Sequence, residues 1–171
     1  MHFPARIPVT GSWHRHVRAG GDPLGLAPVG AAGRWQRAEA IGAVYLADSA
    51  ATAWAEFYRA VAEMGVGPAD LMPRDPWRYD VALSAVCDLR TKAALADVGL
   101  PAAEPDRDQW PAFQRVGEGL ASDGAEAILW RSAARPADVC LCVFAPALGV
   151  VRALECVRVD DPPPPPRGLR T

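Results

Sequence analysis

The sequence predicts an α+β fold in a single domain. Strand-like and helix-like stretches interleave without the regular alternation of a doubly wound sheet, and the apolar runs are short and punctuated by glycine and proline. The 171 residues suit one core. The expected architecture is a mixed or antiparallel, strongly bent sheet with flanking helices and a cleft. Residues 1–10 read as an N-terminal extension, 11–160 as the domain and 161–171 as a proline-rich tail.

The elements follow from local chemistry. Trp13 to Val17 alternates as a short strand that aims Trp13, Arg15 and Val17 to one side and His14 and His16 to the other. Asp22 to Gly33, rich in glycine and proline, reads as loop. Ile41 to Ala47 is an apolar run suited to a buried strand, and Asp48 or Ser49 then caps a helix by accepting from free first-turn N–H groups. That helix runs to about Met64, where Gly65 and Gly67-Pro68 stop it. Ala50, Trp54, Phe57, Tyr58 and Val61 form its apolar face, with Thr52, Glu56, Arg59 and Glu63 on the other.

Trp77 to Leu89 alternates as a strand, Thr91 caps a short helix ending at Gly99, and Pro101 to Asp108 is an acidic loop. A helix from about Gln109 to Ser122 tolerates Pro111 in its first turn. Ala127–Ser132, Val139–Phe144 and Ala153–Val159 supply the remaining strands. The five prolines Pro162 to Pro166 dictate an extended tail, read as a terminal spacer.

Composition narrows the function classes. Half the residues are hydrophobic, 22% are charged and the net charge is -2, which leaves no electrostatic footprint for nucleic acid. Cys87, Cys140, Cys142 and Cys156 form no C-x-x-C pair and read as thiols of a reducing cytosol. The N-terminus lacks the order of a signal peptide, and the longest apolar run, Val139 to Val151, is too short to cross a bilayer. The expected location is therefore cytoplasmic. Three histidines offer no ligand set for a metal, and there is no Walker loop and no Gly-x-Gly-x-x-Gly.

One stretch carries chemistry. Between Gly33 and Glu56 lie an arginine after a glycine (Arg34), a tyrosine closing an apolar run (Tyr45) and a glutamate one helical stretch later (Glu56). Together these side chains can hold and cleave a dinucleotide. Each also has a plain reading: Arg15 at a sheet edge with its head in water, Arg34 in a salt bridge, Tyr45 packed, Glu56 solvated and paired with Arg59 at i,i+3, and Ser132 satisfied by backbone.

The segments Gly33-Arg34-Trp35, Tyr45-Leu46-Ala47-Asp48-Ser49, Glu56 eleven positions after the tyrosine, Gln114 to Gly117 and Ala127-Ile128-Leu129-Trp130-Arg131-Ser132, with Arg15 upstream, resemble those of the RES-domain toxins. That family is named for its arginine, glutamate and serine, and its fold is similar to that of ADP-ribosyltransferase toxins. The resemblance spans nearly the whole chain from Trp13 onward, departing at His14 and Gln36.

It implies an enzyme that destroys NAD, with no metal. Glu56 would face the ribose and stabilise an oxocarbenium-like transition state. Arg34 and Arg15 would grip phosphate oxygens, Tyr45 would offer its ring to the cationic nicotinamide, and Ser132 would orient a phosphate or the glutamate. The resemblance also implies a small helical antitoxin as partner, in a homo-oligomer or a toxin-antitoxin hetero-oligomer, with no membrane partner. Three functions stay open: an NAD glycohydrolase or phosphorylase toxin using water or phosphate, a mono-ADP-ribosyltransferase acting on a protein, and a catalytically silent binding protein.

Overall fold

The computed structural model describes residues 4–26, 32–37, 39–101 and 107–170. Parts of the loops expected over Asp22–Gly33 and Pro101–Asp108 lie outside the described residues. Among the described residues, six strands and three α-helices run in the order β1 (Arg6–Arg18), β2 (Ala43–Ala47), α1 (Ala50–Met64), β3 (Arg74–Asp88), α2 (Lys92–Asp97), α3 (Trp110–Ser122), β4 (Ala127–Arg131), β5 (Val139–Phe144) and β6 (Val151–Cys156).

The strand order is β1-β2-β5-β4-β3-β6, and β1 also pairs with β3, so five strands close on themselves. Every pairing is antiparallel except β3 with β4. This is the mixed, bent sheet with flanking helices that the sequence predicts. Closure depends on two long strands. β1 begins at Arg6, within the stretch read as an extension, and its ladder with β3 runs from Arg6↔Cys87 to Arg18↔Arg74 with a shift between Ile7 and Val9. The prolines and missing period of the first ten residues hide a strand whose pairing is set by β3. At the other end, β6 spans Val151–Cys156, earlier than the sequence expectation, while Val159 makes an isolated bridge to Arg74.

Alternation sorts the side chains into two layers. Val44, Leu46, Tyr79, Val81, Leu83, Leu141 and Val143 belong to the core cluster that also holds Trp13. Ala43, Ala47, Ile128, Cys140, Cys142 and Phe144 turn the other way and pack with Phe113, Val116 and Leu120 of α3. The short strands β2, β4 and β5 are therefore covered on both faces, which is why they read as apolar runs. Each buried Leu, Ile or Phe contributes roughly 1.5–3 kcal/mol.

α1 is bounded as its sequence dictates. Ser49 accepts from the Thr52 N–H, and Gly65 takes the left-handed conformation (φ 68°) that ends the helix. The proline tail departs from expectation. Pro162, Pro163, Pro166 and Leu169 are partly buried, Tyr58 of α1 donates to the Pro163 carbonyl oxygen, and the Arg170 N–H donates to the Ala134 carbonyl oxygen at 2.9 Å. The segment is a strap across α1, not a free spacer. An isolated polyproline run carries no signal for a docking surface supplied by a distant helix.

Candidate active site

Ser49 fixes where α1 starts, and Glu56 lies two turns further on. One face of the helix, Ala53, Glu56, Phe57 and Ala60, lines a cavity of about 430 Å³ together with His14, Arg15, His16, Tyr45, Arg74, Trp130 and Cys140. An adjoining cavity of about 220 Å³ shares Tyr45, Glu56, Ala60 and Trp130 and adds Gly33, Arg34, Arg59 and Trp110. The two meet at Glu56 and Tyr45.

Glu56 is partly buried and held on one oxygen. Its Oε1 accepts from Ser132 Oγ at 2.5 Å and from the Ala134 N–H at 3.3 Å, with Cys140 Sγ at 3.8 Å. Ser132, fully buried, accepts in turn from the Arg135 N–H at 3.0 Å. Oε2 has no partner among the described residues. The solvated, Arg59-paired glutamate suggested by the helix wheel is not what forms. Arg59 pairs with Glu63 at 3.0 Å and donates to the Ala133 carbonyl oxygen at 3.2 Å. A wheel sees only one helix, whereas Ser132 and Ala134 arrive from beyond β4.

Tyr45 stands at the junction of the two cavities, edge-on to Trp130 with centroids 5.8 Å apart. Its hydroxyl donates to Gln36 Oε1 and accepts from the Trp35 N–H at 3.1 Å. Burial holds that hydroxyl well above the usual phenol range, so Tyr45 acts as a neutral phenol with a fixed ring. The Gly33–Gln36 hairpin supplying these contacts is seated on α3. Gln114 Nε2 donates to the Gly33 carbonyl oxygen at 2.9 Å, and Arg37 makes a two-pronged pair with Glu118. Two glycines make room: a Cβ at Gly33 would collide with the Tyr45 hydroxyl and Gln36 Oε1, and one at Gly117 with the Trp35 carbonyl oxygen. Arg34 is thereby placed in the wall of the smaller cavity.

Asp48 completes the frame, its Oδ2 accepting from the Val139 N–H at 2.9 Å while its own N–H donates to the Val139 carbonyl oxygen at 3.1 Å. Every member of Tyr45-Leu46-Ala47-Asp48-Ser49 is thus accounted for physically. Tyr45 sets its ring in the cleft, Leu46 and Ala47 fill the core on opposite faces, Asp48 ties β2 to β5, and Ser49 caps α1.

Arg15 reaches the larger cavity in a different manner from a surface residue with its head in water. It is partly buried, and its terminal nitrogens donate to the carbonyl oxygens of Pro23 (3.1 Å) and Gly25 (3.2 Å). Burial lowers its pKa. The structure therefore brings Arg34, Tyr45 and Glu56 to one cavity with Ser132 behind the glutamate, and leaves Arg15 in the larger cavity engaged by backbone. Sequence reasoning gives no site role to Arg74 or His16. His16 shares the cavity-facing side of β1 with His14, and Arg74 opens β3 beside it. Burial and the neighbouring Arg74 hold the His16 imidazole down to about 4. The alternation of β1 already places His16 opposite the face of Trp13; nothing in the sequence brings Arg74 to it.

The buried thiols are unpaired with one another. Burial raises the pKa of Cys140, and that of Cys142 to about 12, so both are neutral thiols and not nucleophiles, Cys140 in the wall of the larger cavity and Cys142 in the core. Among the described residues no group of three metal-ligating side chains forms, and no helix is long and apolar enough to cross a membrane.

Fold and site together define a single-domain α+β protein with a cleft lined by an arginine, a tyrosine and a glutamate whose carboxylate is held by a buried serine. The RES domain family profile matches residues 4–163, and the chain belongs to that family. A chain in the crystal structure of the M. tuberculosis MbcT-MbcA toxin-antitoxin complex superposes with a TM-score of 0.80 at 26% identity, covering 91% of this chain and 87% of that one. No curated protein matches the sequence.

Proposed function

We propose that this protein is the toxin of a toxin-antitoxin pair and that it destroys NAD by cleaving the bond between nicotinamide and ribose. The observation that carries the reading is the Glu56 carboxylate, anchored on Oε1 by Ser132 and Ala134 and carrying no partner on Oε2 among the described residues, in a residue that lines a cleft with Tyr45, Trp130 and Arg34. Family membership supports an enzyme acting on NAD.

In this reading the nicotinamide ring stacks in the aromatic corner of Tyr45 and Trp130, worth roughly 0.5–2 kcal/mol for a cation on such a ring. Arg34 holds phosphate oxygens through its planar fork, with Arg15 in the adjoining cavity. As the N-glycosidic bond breaks, its electron pair leaves with nicotinamide, which becomes neutral, and positive charge develops on the ribose. Glu56 Oε2, or the ribose hydroxyl it accepts from, stabilises that charge. Ser132 and the Ala134 N–H hold the carboxylate in place before charge develops, so no reorganisation is needed at the moment of cleavage. An oxygen of water or inorganic phosphate then bonds to the anomeric carbon and its proton leaves to solvent. Transfer to a protein side chain would use the same geometry with a different acceptor.

An enzyme that consumes a central cofactor in the cytoplasm requires restraint, and the MbcT-MbcA likeness supports a dedicated antitoxin. Co-expression with the neighbouring reading frame should yield an inactive complex; an active protein eluting alone would contradict this. The catalytic reading is tested by incubating purified protein with NAD, with and without phosphate, and weighing the products. Free nicotinamide with ADP-ribose or its phosphate ester is expected. Unchanged NAD with folded protein would leave a silent binding domain.

A further inference from the structure

The larger cavity holds a cation that the mechanism above does not use. Arg74 is the first residue of β3. Its Nε donates to His16 Nδ1 at 2.7 Å, one terminal nitrogen donates to the His16 carbonyl oxygen at 3.2 Å, and the other lies 3.5 Å from the Leu71 carbonyl oxygen. Its guanidinium carbon lies 5.4 Å from the Phe57 ring centroid. A guanidinium has five N–H donors, so one N–H on each terminal nitrogen remains for a ligand.

His16 is itself fixed. It stacks on Trp54 with centroids 4.5 Å apart, meets Phe57 edge-on, and lies with Nε2 3.1 Å from the Ala53 carbonyl oxygen. Because a carbonyl only accepts, Nε2 carries the proton and Nδ1 is left bare to accept from Arg74. The histidine is thus a neutral bracket of fixed tautomer for the arginine.

Arg74 forms no ion pair among the described residues, and all its hydrogen-bond partners are neutral. Arg15 and Arg18 lie near enough to disfavour its charge further. A guanidinium partly buried among neutral acceptors and like charges is unfavourable until an anion joins it. Holding the end of β3 against β1 would not by itself require a charge there. Arg15, with its terminal nitrogens on Pro23 and Gly25, is the more deeply buried of the two, so Arg74 is the better presented guanidinium in this cavity.

We propose that Arg74, bracketed by neutral His16, binds a phosphate oxygen of the dinucleotide in the cavity that Glu56 lines. This rests on the NAD reading given above and adds to it a binding residue and a positioning residue.

The test is steady-state kinetics of the full chain with NAD. Arg74→Gln should raise KM at least tenfold with kcat changed less than twofold. Arg74→Lys, which keeps the charge but loses the planar fork, should fold like the wild type and give an intermediate KM. His16→Phe keeps the stack on Trp54 but removes the acceptor, and should raise KM in the same direction while Arg74 remains present. An unchanged KM in both Arg74 variants, or a loss confined to kcat, would overturn the proposal while leaving NAD cleavage standing. A wild-type protein that neither binds nor consumes NAD would overturn both.

Discussion

At the scale of single residues, the site is a set of short-range fits, and two of them make direct predictions. Gly33→Ala places a methyl where the Tyr45 hydroxyl and Gln36 Oε1 already lie. The hairpin must then move away from Tyr45, loosening the ring proposed to meet the nicotinamide. Activity should fall at least tenfold with a stability loss of about 1–3 kcal/mol, typical of overpacking; wild-type activity would mean that the Tyr45 anchor is dispensable. His16 predicts a pH dependence. Its folded pKa, about 4, lies below the unfolded value of 6.5, so the unfolded chain binds the extra proton between the two. Stability is therefore complete above about pH 6.5 and is lost as pH falls toward 4, by up to roughly 3 kcal/mol. His16→Phe should flatten the melting temperature between pH 6.5 and 4.5. An equally steep profile in the variant would assign the loss to another group, His14 first, whose imidazole burial also holds below its ordinary value.

At the scale of elements, what the sequence discloses depends on how local the cause is. The ends of α1 were legible because Ser49 and Gly65 act on their own first and last turns. β2, β4 and β5 were legible because burial on both faces leaves an unbroken apolar run. Arg34, Tyr45, Glu56 and Ser132 could be gathered only through the family resemblance, since the wheel alone sends Glu56 to solvent. The start of β1, the strap and Arg74 were not legible, because each is fixed by a partner more than fifty residues away: Cys87 for Arg6, Tyr58 for Pro163, His16 for Arg74. The strap yields its own prediction. Ending the chain at Asp161 removes the Tyr58 and Ala134 hydrogen bonds and the partly buried prolines, at about 1 kcal/mol net per bond. The melting temperature should fall by several degrees, and activity with it, because Ala134 also supports Glu56. An unchanged melting curve would mean that the tail lies on α1 without stabilising it.

At the scale of the whole molecule, a closed five-stranded ring and one helix hold a carboxylate against a cleft. The ring fixes Tyr45 and Ser132, α1 carries Glu56 across to Ser132, and α3 seats the hairpin that presents Arg34. Ser132 and the Ala134 N–H hold Glu56 Oε1, and the proposed chemistry falls to Oε2. The most direct measurement is the rate of NAD consumption by purified Glu56→Gln protein beside the wild type, with both shown by melting to be folded. Glutamine keeps the size and can still accept from Ser132, but it removes the charge. The rate should fall by about 10²–10³ or more, the loss expected when a preorganised electrostatic contact to the transition state is removed, with the melting temperature little changed. A Glu56→Gln protein that consumes NAD at the wild-type rate would contradict the account.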